Sequence, residues 1–168
     1  TGLAAPFYVT LARESSSGGN LLGSFVIASG LAVAVASGFW GRLSDRSSRT
    51  VLFAAAMMAS TLGVTVFLLD ILGLVQRFPW IVPTAFFCLA IAHSGIRVGR
   101  KTYLLDMASG VKRTDFVAVS NSVIGVVLLL GGALGLLAPL LGPAGILLLF
   151  SALGFSGAWG ARKLPETQ

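Results

Sequence analysis

The side chains able to carry charge or exchange protons are few in this chain, and eight of the eighteen charged ones fall in two short stretches. The first is Gly41-Arg42-Leu43-Ser44-Asp45-Arg46-Ser47-Ser48-Arg49-Thr50, and the second, Gly95–Ala108, carries Arg97, Arg100, Lys101 and Asp106. The chemistry open to such groups is ion pairing and anion binding. A carboxylate such as Asp45 is favoured at a helix N-terminus, where free N–H groups and the helix dipole attract an anion. Arg46 and Arg49 can bind anionic headgroups or a neighbouring carboxylate. Arg97, Arg100 and Asp106 are spaced so that they do not share one helix face, so their contacts go to other helices or through a turn. They read either as an ion-pair network with Asp45 or as a solvated basic collar.

Two further polar residues lie within apolar runs. His93 is titratable near neutral pH and stands one helical turn before Arg97, as an interhelical hydrogen-bonding group or a proton-coupling one. Asn121, between Ser120 and Ser122, can bond another helix or line a cavity. Catalytic chemistry is not expected. Ser94 adjoins His93 and points about 100° away from it on a helix, so the two do not form a nucleophile–base pair. With Cys88 as the one cysteine, an intramolecular disulfide is impossible. No cluster of acids, histidines or cysteines suggests a metal, and no cofactor is expected.

The elements that must position these groups follow from composition. Of 168 residues, 55% are hydrophobic and 11% charged, against about a quarter charged in soluble domains. Mean hydropathy is +0.90. A soluble enzyme, a disulfide-rich module and a disordered tail are poor readings of these values, and a polytopic membrane protein is the natural one. The net charge of +6 does not indicate nucleic acid, because the basic residues sit in the gaps between apolar runs.

Those gaps delimit helices at about 21–40, 51–74, 80–103, 116–141 and 144–161. Each apolar run is near the ~17–25 residues needed to cross a bilayer. Residues 2–12 read as a truncated helix whose beginning precedes residue 1. The expected fold is thus a single all-α transmembrane bundle over 1–168, with five complete spans plus one truncated helix, and a tight turn at Gly142-Pro143. Alternation divides the basic residues two against ten: Arg13 and Arg77 on one side, and Arg42, Arg46, Arg49, Arg97, Arg100, Lys101, Lys112, Arg113, Arg162 and Lys163 on the other. The richer side is expected to be cytoplasmic, with the C-terminus on it.

With these elements in place, the stretch from Gly41 to Thr50 resembles the loop that marks the major facilitator superfamily. Gly41, Leu43, Ser44, Asp45, Arg46 and Arg49 match its pattern, while Ser48 replaces a later glycine and Thr50 the last basic residue. Gly95–Ala108 looks like the charged end of helix ten in bacterial members. The resemblance implies helices seven (its end) to twelve of a secondary transporter, with a missing N-terminal six-helix half as partner, in a bacterial plasma membrane. It also implies that Gly41, Asp45, Arg46 and Arg49 form a conformational latch, and that a small solute moves by alternating access. Membrane lipid and that solute are the other expected partners. The competing reading is a non-transporting membrane protein, a sensor, scaffold or assembly subunit on the same helices.

Overall fold

A computed structural model describes residues 1–15, 21–107 and 112–165, and these are helical almost throughout, with no strand among them. A 3-10 turn, Gly2–Ala4, leads into α1 (Ala5–Ser15). Then come α2 (Leu21–Ser44), α3 (Ser48–Ile71), the short α4 (Leu74–Arg77), α5 (Ile81–Met107), α6 (Lys112–Ala133), a second 3-10 turn (Leu134–Leu137) and α7 (Ala138–Arg162). Four stretches are long and apolar enough to cross a membrane: Gly23–Ser44, Ser48–Ile71, Ile81–Met107 and the 49-residue Thr114–Arg162. The protein is all-α, with the helices an integral membrane protein requires.

The ends of the helices differ from the charge-delimited ranges for physical reasons. Arginine does not stop a helix, so α2 runs through Arg42 to Ser44, and α5 continues four residues past 103 to Met107. The third helix begins at Ser48 because Ser47 caps it: extended at φ −164°, its hydroxyl accepts from the Thr50 N–H. It ends at Ile71 because Gly73 takes the left-handed conformation, φ 70°. The long stretch from Thr114 is interrupted at Gly142, whose φ of 69° and ψ of 168° suit only glycine. Pro143 follows and has no N–H to restore the ladder. The expected turn is therefore a backbone break, and α6 already gives way to 3-10 geometry at Leu134.

Small residues let the helices meet. On α3, Ser60 meets Gly154 of α7, and Gly63 meets Ser151, so each serine fills the space above a glycine. On α5, a side chain at Gly95 would strike the Trp40 ring at 2.6 Å and Ala55 at 2.9 Å, and one at Gly99 would crowd Val51 and Leu52. These pairings run α3 antiparallel to both α5 and α7. The second helix lies parallel to α5, fixed by the edge-to-face pair Phe25–Phe86, centroids 4.7 Å apart, and by Trp40 Nε1 donating to the Ile91 carbonyl at 2.9 Å. Close backbone approach through small residues is how helices associate in lipid.

The sixth helix is different. Its described side chains include none that is buried, and Val119, Val123, Val126, Leu129 and Leu130 are exposed. Its end meets the first 3-10 turn, with Leu3 over Gly131, and Phe7 of α1 lies near Gly135 of the second 3-10 turn. Phe7 also touches Phe150 of α7, centroids 5.8 Å apart.

Candidate functional site

The end of α2, the start of α3 and the ends of α5 and α7 converge, and they bring the charged stretches to one end of the bundle. Backbone bonds from the Asp45 N–H to the Gly41 carbonyl (3.0 Å) and from the Ser47 N–H to the Leu43 carbonyl (3.1 Å) wind the chain out of α2. Asp45 and Arg46 stand on the exposed rim of this turn, and Arg49 is half-buried. A wide hollow of about 650 Å³ opens beside the turn, with Gly38, Arg42, Asp45 and Arg46 in its wall.

Below the turn three side chains tie the helices together. Arg49 Nη1 donates to the Leu164 carbonyl at 3.0 Å, just past α7. The Tyr103 hydroxyl, from α5, donates to the Pro165 carbonyl at 3.3 Å. The buried Ser48 hydroxyl donates to Asp106 Oδ2 at 3.5 Å. Ser48 is the first residue of α3, so the Asp106 carboxylate stands at that helix's N-terminus, where the dipole favours an anion. Arg162 lies over the Phe53 ring at 6.0 Å.

This geometry redistributes roles read from the sequence. Asp106, from α5, supplies an anion at the N-terminus of α3. Asp106 bonds to Ser48 across the α5–α3 contact, and not to Arg97 or Arg100 on its own helix. Gly41 admits no close neighbour, since a Cβ there would meet nothing within 4 Å. The close approaches fall at Gly63, Gly95, Gly99 and Gly154 instead, because the register between helices decides which glycine faces a backbone. Asn121 is exposed on α6. Lys112 and Arg113 lie where only the backbone is described.

Deeper in the bundle, His93 is half-buried and its Nδ1 lies 2.8 Å from Thr1 Oγ1. It borders a cavity of about 230 Å³ among α1, α2 and α5. A second cavity, about 250 Å³, lies among α1, α3, α5 and α7, bordered by Tyr8, Ser60 and Ser151. The Tyr8 hydroxyl is buried without a hydrogen-bond partner. Asp70, at the other end of α3, accepts from Gln76 Nε2 at 2.9 Å, an end-of-helix role. Among the described residues no group of three or more His, Cys, Asp or Glu is placed to hold a metal.

The types of Tyr103 and Ser48 do not by themselves indicate these positions. Ser48 sits directly after a capping serine, which marks a helix start, but its partner lies 58 residues away. Comparison with protein-family models, with curated proteins and with solved structures finds no match.

Proposed function

We propose that this chain is the C-terminal half of a secondary transporter of the major facilitator type, moving a small solute by alternating access between two six-helix halves. In this reading the bundle crosses the membrane five times, with Gly142 dividing the last two crossings. It lies in a bacterial plasma membrane with its basic end in the cytoplasm. The observation that carries the reading is the Gly41–Thr50 turn. It matches the superfamily pattern at six positions and lies where α2, α3, α5 and α7 converge, beside a hollow walled in part by Asp45 and Arg46.

An open hollow with a carboxylate and a guanidinium on its rim suits a helix end from the opposing half, docked in one conformation and released in the other. Arg49 and Asp106 brace the platform from below. The exposed faces of α2 and α6 give the opposing half and the lipid an apolar surface to cover.

The experiment is solute profiling of cells and medium, with and without the full-length protein. A transporter shifts the distribution of at least one solute between the two. A scaffold or sensor leaves every distribution unchanged while the protein is present in the membrane, and that result would overturn the proposal.

A further inference from the structure

Along its α5 wall the cavity among α1, α2 and α5 has polarity that runs in one direction; Thr1 and Ser29 also border it, the Ser29 hydroxyl donating to the Val26 carbonyl at 2.8 Å. On α5, Phe86, Leu89, His93 and Arg97 recur at three- and four-residue steps and so form one stripe. The stripe is apolar at Phe86 and Leu89 and polar at His93, Ser94 and Arg97, nearest the basic end. Val33 of α2 faces the apolar part. The Phe86 ring is held edge-to-face by Phe25, which fixes that wall.

Two donors at the polar end are uncommitted. Ser94 is only 5% exposed, borders the cavity, and is without a hydrogen-bond partner among the described residues. Arg97 is exposed at the cavity's edge and has no ion pair among them, and a guanidinium offers five N–H donors in a planar fork matched to a carboxylate. No acidic side chain borders this cavity among the described residues, so a bound carboxylate would meet no like charge from them. Its volume of about 230 Å³ is worth roughly eight water-sized spaces at ~30 Å³ each.

We propose that this cavity binds a small monocarboxylate, its carboxylate on Arg97 and the Ser94 hydroxyl and its apolar body along Phe86, Leu89 and Val33. Taken as the solute site, the cavity rests on the transporter reading above and gives it a substrate class. Arg97 thereby leaves the basic collar and becomes a binding residue, while His93, held at Nδ1 by Thr1, shapes the wall between head and body.

The test is titration calorimetry and thermal unfolding of the full-length protein in detergent. Sodium acetate, isovalerate and benzoate are each compared with the corresponding neutral amide. At least one acid is expected to bind and to raise the unfolding temperature where its amide does not. Arg97→Gln should weaken that acid about tenfold or more, the scale of a lost charge-assisted pair. Ser94→Ala should weaken it less, and Arg77→Gln, at the other end of the bundle, should leave it unchanged.

The proposal is overturned if all three acids bind no better than their amides, or if Arg97→Gln retains full affinity while unfolding at the same temperature as the parent. Arg97-dependent acid binding with no solute redistribution in cells would keep the site and remove the transporter reading. Redistribution of an uncharged or cationic solute with no acid bound would do the reverse.

Discussion

The helices α3 and α6 have nearly the same length, 24 and 22 residues, and both are strongly apolar. Yet α3 buries seven residues between α5 and α7, while α6 has no buried side chain among those described. The difference lies in what the small residues face: α6 carries Gly125 and Gly132, but a Cβ on either would meet nothing within 4 Å, whereas Gly63 of α3 faces Ser151. The third helix offers Ala55, Ala59, Ser60 and Gly63 along its packed faces, and small residues let backbones approach closely. From Val126 to Leu130 α6 offers only large aliphatic groups, and these are exposed. In water so much exposed apolar surface would mark a binding face or an aggregation hazard. Against lipid it costs little, since acyl chains are as apolar as leucine. Apolarity alone therefore puts a helix in the membrane, and small residues decide which helices lock together.

The largest effect that would break this comparison is at the close approaches. Gly95→Leu drives a side chain into Trp40 and Ala55, and overpacking costs about 1–3 kcal/mol or more. Gly125→Leu on α6, where a Cβ would meet nothing within 4 Å, should be neutral or slightly stabilising. Unfolding temperatures of the two variants in detergent should therefore separate widely. Equal losses would mean that α6 is packed as tightly as α5.

Next is the brace at the basic end. Arg49→Gln removes a charged donor from the Leu164 carbonyl, a bond worth about 1.5–3 kcal/mol. Hydrogen exchange at the Lys163 and Leu164 amides should speed up. Leu164→Ala should change it much less, because the acceptor is the backbone. Faster exchange in Leu164→Ala alone would show that the side chain, not the carbonyl, holds the segment.

A smaller loss is expected from Trp40→Phe, which takes one neutral hydrogen bond from the α2–α5 contact, about 0.5–1.5 kcal/mol. The smallest is Leu129→Ala on α6, within about 0.5 kcal/mol as for an uncovered side chain. A loss of several kcal/mol there, read by thermal unfolding, would reveal a packed partner on that face.

The same contrast explains what the sequence made legible. Charge-free runs located α2, α3, α5 and the stretch from Thr114, because lipid demands long apolar helices whatever their packing. The ends were less legible. A helix continues through Arg42 because such a side chain extends into water, whereas Ser47 and Gly73 stop it through backbone geometry that charge does not report. At the site, the charged residues were visible but their partners were not. Asp106 meets Ser48 and Arg49 meets Leu164 across 58 and 115 residues of chain, and only the registers of α3 against α5 and α7 bring them together. The register likewise makes Gly95, and not Gly41, the place where helices touch.

The most direct test of the central claim, that the turn after α2 is a moving latch in a transporter, is flux in Asp45→Asn. Flux of the solute identified by profiling is measured in the full-length protein and normalised to the amount in the membrane. Loss of one charge-assisted contact made in a single conformation is worth about 1.5–3 kcal/mol, and every ~1.4 kcal/mol is tenfold in a population ratio. The account predicts flux reduced at least tenfold at near-normal abundance, with Arg46→Ala acting in the same direction and the double variant less than additive. Parental flux in Asp45→Asn would contradict it.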